Sequence, residues 1–150
     1  MGVYQRIIVG TDGSETSFRA VDRAAELARD AEATLYVITA YQPMNKDDVV
    51  RAQDKLGPDM AYQVVGSAPA EDTVSRGRDR ARKAGATKVE TQVLRGEAAP
   101  VLFEAVTSLG ADLLVVGNRG LNTLAGRILG SVPAEVARHS SVDVLIVHTT

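Results

Sequence analysis

The sequence predicts an α/β protein with a five-stranded parallel sheet, in the order 3-2-1-4-5, and helices on both faces. Two observations predict this class: short apolar runs alternate with helical patterns, and glycine-rich turns follow the first and fourth runs. Such alternation is typical of parallel strands joined by right-handed crossovers. If both glycine-rich turns serve one ligand, strands one and four must be neighbours, with the switch point of the sheet between them.

The five apolar runs predict the strands, and their composition indicates where each lies in the sheet. The fourth and fifth runs are nearly continuous in Val, Leu and Ile, which suits strands covered on both faces. The third run alternates between apolar and polar residues, which suits an edge strand. The predicted strands are residues 3–10, 33–40, 88–94, 111–117 and 142–148.

Helical patterns lie between the strands and have recognisable ends. The first places Phe18 and Val21 on one apolar stripe and has Ser14 as its N-cap. Gly85 and Gly110 follow the second and third patterns, at the position where glycine commonly ends a helix. The predicted helices are residues 14–33, 70–85, 97–110 and 131–141.

One connection does not fit this regular alternation. Residues 41–67 would form a loop of a length that is unusual inside a compact domain. We therefore predict a short helix near 46–55 and a variable, mobile connection over 42–67. The remaining pattern predicts a single domain over residues 1–150.

Composition excludes several classes of function. A net charge of -2 argues against a nucleic-acid partner, and the basic run 75–83 is interleaved with acidic residues, as on a solvated helix face. The absence of cysteine excludes disulfides, thiolate metal sites and cysteine nucleophiles. No apolar run is long enough to span a membrane, and the first residues do not resemble a signal peptide. The expected location is the cytoplasm.

The segment after the fourth strand predicts a phosphate site. It contains Gly117, Gly120, Gly126 and Gly130, and Ser131 follows the last glycine. It matches neither the P-loop nor the dinucleotide fingerprint. The same physics still applies, because glycine geometry frees backbone N–H groups and the next helix presents its N-terminus. Four such glycines with a following serine favour phosphate binding over turns alone.

Other residues at the same edge of the sheet extend this candidate site. Arg119 and Arg127 could add positive charge. The carboxylate of Asp12, after strand one, could bind a ribose hydroxyl or a base amino group, or hold Mg²⁺ through phosphates. An Asx-turn or a helix cap is an equally good explanation for Asp12. Ala40, at the end of strand two, leaves room for a flat base.

These motifs resemble a known family. Residues 117–131 follow the pattern Gly-x2-Gly-x9-Gly-Ser, which resembles the nucleotide loop of the ATP-binding universal stress proteins. Residues 7–28 resemble the first strand, Asp-Gly-Ser turn and first helix of that family. Residues 93–120 resemble its third strand, Gly-x-x-x-Pro turn, third helix and fourth strand, and residues 130–148 its closing helix and strand. The resemblance covers nearly the whole chain apart from 42–67.

The resemblance implies a Rossmann-like, adenine nucleotide alpha-hydrolase-like fold with the strand order given above. It implies a bound adenine nucleotide (ATP, AMP or a cyclic adenylate) and a homodimer formed through the last strand, 142–148. That strand is an apolar edge, which would need cover in any case. Many family members carry Lys or Arg near position 126. Because this chain has Gly126 there, a ligand with fewer phosphates remains an alternative. The predicted nucleotide-binding residues are Gly10, Thr11, Asp12, Ala40, Gly117, Asn118, Arg119, Gly120, Arg127, Gly130, Ser131 and Val132.

The predicted function is that of an adenine-nucleotide binder, sensor or nucleotide buffer. No catalytic residue and no metal-ligating side chain is assigned, and His139 and His148 are interpreted as structural. The enzymatic alternative is a slow Mg²⁺-dependent ATPase in which Asp12 positions the metal and water. A flavodoxin-like electron carrier is a weaker alternative, because aromatic residues make up only 4% of the chain. A phospho-receiver domain would need an acidic pair after strand one, which the sequence lacks.

Overall fold

The computed structural model describes residues 2–42, 68–118 and 131–149. Within these ranges strands and helices alternate, as the sequence predicts. The elements are β1 Arg6–Gly10, α1 Glu15–Ala31, β2 Thr34–Tyr41, α2 Ala68–Lys83, β3 Val89–Arg95, α3 Ala98–Leu109, β4 Leu113–Gly117, α4 Ser131–His139 and β5 Asp143–Val147. Apart from Gln42, the predicted mobile connection 42–67 and its helix near 46–55 lie outside the described residues.

The strands form one parallel sheet in the order β3-β2-β1-β4-β5, which confirms the predicted order. β1 lies at the centre, where Val9 is paired with Val37 of β2 on one side and Val115 of β4 on the other. The switch point is therefore between β1 and β4, as expected, and β3 is an edge strand. Flavodoxins and receiver domains have the order 2-1-3-4-5, so the topology supports neither of those alternatives.

Because successive side chains point to opposite faces of the sheet, they pack in two core layers, one on each face. Ile7, Val9 and Val37 pack beneath α1 and α2, whereas Ile8 and Ile38 pack beneath α3 and α4. Residues 7–9 of β1 have no exposed surface, because helices cover both faces of the central strand. A sheet covered in this way leaves its strand ends as the places where a ligand can reach the backbone.

Helix α1 begins as predicted but ends two residues earlier. The Oγ of Ser14 accepts a hydrogen bond from the backbone N of Ser17, which is an N-cap contact. At the other end Glu32 adopts the left-handed conformation with φ 56°, and the N–H of Ala33 donates to the Ala28 carbonyl. This closing pattern satisfies the last carbonyls and turns the chain into β2 at Thr34.

Helix α2 lies unusually close to the sheet at Gly77. A Cβ atom at this position would be 2.8 Å from Cγ1 of Val37 and 3.7 Å from Cε1 of Phe18. Glycine inside a helix costs about 1 kcal/mol relative to alanine. The close contact with β2 and α1 gives a packing reason for accepting that cost.

Candidate functional site

A cavity of about 500 Å³ opens at the carboxyl edge of the sheet, at the switch point. It lies among the ends of β1, β2 and β4 and the first residues of α3 and α4, and its volume is typical of small-molecule sites. The lining residues are Gly10, Thr11, Asp12, Ser17, Ile38, Ala40, Tyr41, Gln42, Gly96, Glu97, Ala98, Leu102, Val116, Gly117, Ser131, Val132 and Pro133.

The structure brings most of the described predicted site residues into this cavity. The lining includes Gly10, Thr11, Asp12, Ala40, Gly117, Ser131 and Val132. Asn118 is described but does not line the cavity, because its side chain bonds to Thr149. The predicted residues Arg119, Gly120, Arg127 and Gly130 lie outside the described ranges, as does Gly126. Nucleotide contact by any of these residues stays a prediction.

Asp12 is exposed at the mouth of the cavity and forms an Asx-turn. Its Oδ1 accepts a hydrogen bond from the backbone N of Ser14 at 2.9 Å, so the turn interpretation of Asp12 is correct. The helix cap belongs to Ser14 instead. Among the described residues, no hydrogen bond engages Oδ2 of Asp12. The same carboxylate can therefore shape the turn with one oxygen and accept a ligand hydroxyl with the other.

A chain of hydroxyl groups fixes the backbone behind Asp12. Ser17 Oγ donates to the Ser14 carbonyl at 2.8 Å, so the 2.6 Å contact between Thr11 and Ser17 has Thr11 as its donor. Thr11 Oγ1 in turn accepts from the N–H of Gly13 at 3.2 Å. Sequence reasoning did not identify Ser17 as a lining residue. Its position on the first turn of α1, facing Thr11, was the available signal.

Helix α2 packs on this turn from outside the cavity. A Cβ on Gly13, whose φ is +87°, would lie 2.8 Å from Oγ1 of Thr73. Arg76 Nη2 reaches the carbonyl of Gly13 at 3.5 Å. These contacts tie the turn to the helix that follows residue 67, so the turn is held both locally and from a second element.

Arg80 provides the strongest link between α2 and α1. Its Nε and Nη2 both donate to the carboxylate of Asp22, with Nε 3.1 Å from Oδ1, and its Nη1 donates to Glu15 at 3.0 Å. The hydrogen bond to Asp22 raises the pKa of Arg80 above its ordinary value, despite the opposing effect of burial. Arg76 and Arg80 also stack on the ring of Phe18. The basic run 75–83 is thus only partly a solvated face.

The end of β2 presents backbone groups to the cavity. The carbonyl of Ile38 accepts from the N–H of Thr11 at 3.0 Å, so the backbone groups of Ile38 face β1. Ala40 lies two residues further and faces the same side, beyond the last β1 pair at Gly10. Among the described residues no backbone group pairs with Ala40 on that side. Its N–H and C=O are therefore available to a ligand.

Two helix N-termini face the other parts of the cavity. Ser131 begins α4, and Glu97 precedes α3 without a side-chain capping bond. Both residues line the cavity, and the first N–H groups of a helix suit an anion. Among the described lining residues the charged side chains are those of Asp12 and Glu97, both acidic. Within the described lining, positive potential therefore comes from the helix termini.

Gly96 is a second lining residue that sequence reasoning did not assign. Its φ of +137° favours glycine, and a Cβ would lie 2.9 Å from Cγ2 of Val101. The signal was present, because Gly96 begins the Gly-x-x-x-Pro turn that contributes to the family resemblance. The structure shows that this turn brings the start of α3 to the cavity.

No helix in the ranges 2–42, 68–118 and 131–149 is long and apolar enough to cross a membrane. Over the same parts of the chain, no group of three or more acidic or histidine side chains gathers where it could hold a metal ion.

Comparisons with known proteins agree with the fold. The sequence model of the universal stress protein family matches residues 3–148. Universal stress protein Rv1636 of Mycobacterium tuberculosis is 49% identical over 150 residues, with 100% of both chains covered. A solved universal stress protein in complex with cAMP is 45% identical, with a TM-score of 0.76 and 98% of both chains covered.

A solved structure of lower sequence identity has the same fold. The universal stress protein from Archaeoglobus fulgidus in complex with dAMP is 23% identical, with a TM-score of 0.66 over 96% of this chain and 98% of that one. The family match spans every described strand and helix and both glycine-rich segments of the sequence. The chain belongs to the universal stress protein family.

Proposed function

We propose that this protein binds an adenine nucleotide in the cavity and acts as a binder, sensor or nucleotide buffer. The observation that carries the proposal is the arrangement of one cavity at the switch point. At one end lie the N–H and C=O of Ala40, which no described residue pairs on the β1 side, and at the other lies the N-terminus of α4 with Ser131. The similar universal stress protein in complex with cAMP supports an adenylate as the ligand class.

The β2 end of the cavity suits the adenine base. Ile38, Leu102 and Val116 provide apolar surface, and Ala40 offers one N–H donor and one C=O acceptor side by side. Adenine has the complementary pair, since its N1 accepts and its adjacent amino group donates. Guanine has the reverse pair at the same edge and should bind more weakly. The free oxygen of Asp12 is placed to accept a ribose hydroxyl.

The β4 end suits phosphate. Gly117 and Ser131 line it, and the first turn of α4 contributes N–H groups and the positive end of a helix dipole. The described lining has no Lys or Arg, so we favour AMP or a cyclic adenylate over ATP. Contacts from Arg119 and Arg127, and from the backbone at Gly120 and Gly130, belong to this proposal.

Calorimetry on the full chain tests the proposal. AMP, cAMP, ATP with and without Mg²⁺, and GMP are titrated separately, and mass spectrometry identifies any ligand that co-purifies. We expect micromolar binding of an adenine nucleotide, or about -8 kcal/mol, with GMP at least about tenfold weaker. No heat with any adenine nucleotide, or equal affinity for AMP and GMP, would contradict the proposal.

A slow ATPase is the second candidate, and the free carboxylate oxygen of Asp12 in the cavity favours it. In this function Asp12 would help to position Mg²⁺ and water beside the phosphates. Phosphate release is measured for the wild-type chain and for Asp12→Ala at saturating ATP. Turnover that disappears in the variant supports hydrolysis, whereas tight binding without turnover in the wild type rejects it.

The proposal includes a cytoplasmic homodimer formed through residues 142–148. β5 is the last strand at one edge of the sheet, and the three central residues of this strand are only half-buried in the single chain. A partner strand would cover that edge. Light scattering should give twice the chain mass of 15.9 kDa, and a monomer at micromolar concentration would remove this part of the proposal.

A further inference from the structure

Two hydroxyl groups line the cavity beside Asp12, and hydrogen bonds determine where the single proton of each one points. Ser17 Oγ donates to the Ser14 carbonyl at 2.8 Å, so its proton is used within the first turn of α1. Thr11 Oγ1 lies 2.6 Å from Ser17 Oγ and must therefore be the donor in that contact. Both protons thus point into the protein, and each hydroxyl oxygen keeps a lone pair for a further donor.

The backbone N–H groups around these hydroxyls are engaged as well. The N–H of Thr11 donates to the Ile38 carbonyl at 3.0 Å, and the N–H of Gly13 donates to Thr11 Oγ1. The N–H of Ser14 donates to Oδ1 of Asp12, which leaves Oδ2, and an ionised carboxylate can only accept. The side chains of Thr11, Asp12 and Ser17 therefore form an acceptor wall, which offers a ligand hydrogen-bond acceptors and no donor.

We propose that Ser17 is a positioning residue that keeps the acceptor wall selective for hydroxyl donors on the ligand, and that it acts through the Thr11 hydroxyl. This inference rests on the proposed function, in which Oδ2 of Asp12 accepts from the ribose. A Thr11 proton turned towards the cavity would compete with the ribose hydroxyl for acceptors. Because Ser17 Oγ accepts that proton, the wall stays free to accept from the ligand.

The surroundings of these groups make the expected effect local. Thr11 is 7% exposed, so without Ser17 Oγ its proton would lose a buried acceptor, and the cavity would be the open direction. The turn should keep its shape, because the Asx-turn bond of Asp12 and the cap bond from Ser17 N to Ser14 Oγ do not involve the Ser17 hydroxyl. The Thr39 hydroxyl would still hold the Thr11 carbonyl at 2.9 Å. Selectivity should therefore change while the fold is retained.

The experiment compares AMP with 2′,3′-dideoxy-AMP in calorimetry on the full chain, because these ligands differ only in the ribose hydroxyls. The wild type should prefer AMP by at least about tenfold, as expected for hydrogen bonds to a carboxylate. Ser17→Ala should weaken AMP by about threefold and leave the dideoxy ligand unchanged. Thr16→Ala, which removes a hydroxyl from the same turn of α1 but outside the cavity, is the matched control. This control and Ser17→Thr, which keeps a hydroxyl, should both retain the wild-type preference.

A double variant separates this role from a direct contact between Ser17 and the ligand. If Ser17 acts through the Thr11 proton, Ser17→Ala should have no further effect on AMP once Thr11→Val has removed that proton. A threefold loss that persists in the Thr11→Val background would mean that Ser17 Oγ binds the ligand itself, which overturns the positioning role. Equal losses for the two ligands in Ser17→Ala would indicate general damage to the site and also overturn it.

The acceptor wall and the proposed function can fail separately. A wild-type chain that binds AMP and 2′,3′-dideoxy-AMP equally well would retain a nucleotide site but overturn the selectivity of the wall. A wild-type chain that binds no adenine nucleotide overturns the proposed function, and the role of Ser17 with it.

Discussion

The Asp12 turn and the exit from β4 line one cavity, but their supports differ in kind. In the turn, most side-chain bonds join residues no more than six positions apart, such as Thr11 and Ser17, and one longer bond runs from the Thr39 hydroxyl to the Thr11 carbonyl. At the β4 exit, Asn118 bonds to Thr149, 31 positions away, and Thr149 bonds to Arg19, 130 positions away. The turn takes most of its side-chain bonds from the start of α1 and adds bonds to the neighbouring strand β2, whereas the side-chain bonds of Asn118 at the exit all go to residues that follow β5.

This difference indicates how the ligand affinity of each end of the site should respond to a substitution. The turn has short-range bonds and a second layer of contacts from α2, so a single lost bond should be tolerated. The exit relies on the carboxyl end of β5 and on the residues that follow it, so a disturbance at that end of the strand should reach the phosphate end. Four substitutions test this comparison, and they follow in order of expected effect on AMP affinity.

Gly117→Val should break the β4 exit. Its Cβ would lie 3.3 Å from Cγ2 of Thr149, and the added methyl groups would displace Thr149 or fill the cavity. We expect AMP affinity to fall at least about 100-fold, or ~2.7 kcal/mol. The fold should persist, because Gly117 is not among the glycines with positive φ. Calorimetry and circular dichroism measure the two results, and intact AMP binding would contradict the assignment.

Gly13→Ala tests the Asp12 turn, with Gly110→Ala as a matched control. Both glycines have positive φ, at 87° and 65°, so each alanine should lower the free energy of unfolding by about 1–2 kcal/mol. Only Gly13 lies beside the cavity, so we expect Gly13→Ala to weaken AMP by about tenfold and Gly110→Ala to leave it unchanged. Urea unfolding and calorimetry measure both variants. Similar AMP affinities in the two would show that the turn does not shape the site.

Arg80→Lys tests the second layer behind the turn. A lysine cannot reproduce the paired contact with Asp22, so the free energy of unfolding should fall by about 1 kcal/mol. AMP affinity should change by less than about threefold, because the local bonds of the turn remain. Arg82→Lys, at an exposed position of the same helix, is the control. A large loss of affinity in Arg80→Lys alone would show that α2 contributes more to the site than the local bonds do.

Asp143 lies at the amino end of β5, at the edge of the sheet away from the cavity. Asp143→Asn should therefore leave AMP affinity unchanged. Tyr4 donates to Oδ2 of Asp143 at 2.9 Å, and this hydrogen bond raises the pKa of the phenol above its ordinary value of 10.0. Stability from a raised pKa is present at lower pH and is lost as pH rises through the folded-state value. Absorbance titration at alkaline pH should show Tyr4 ionising at lower pH in the variant. An unchanged titration would mean that Asp143 is not the cause.

The same distinction explains how much the sequence predicts. The strand order follows from two glycine-rich turns that must meet, and the cap at Ser14 follows from a local pattern. The lining role of Ser17 depends on how α1 faces the end of β1, and the side-chain direction of Asn118 depends on Thr149. No local pattern connects Asn118 to Thr149, which lies 31 positions away. Propensity and spacing therefore identify the turn correctly but give only the position, not the contacts, of Asn118.

Gly77 is a position at which a small substitution would change how α2 packs on the sheet. A common engineering rule replaces helical glycines with alanine to increase thermal stability. At Gly77 one methyl group would act as a wedge between α2 and Val37, only 2.8 Å away. The helix would tilt from the sheet, and Arg76, the preceding residue, and Thr73, one turn back, would move away from Gly13. A substitution 64 positions from that glycine in the chain could thus retune the ligand site without touching it.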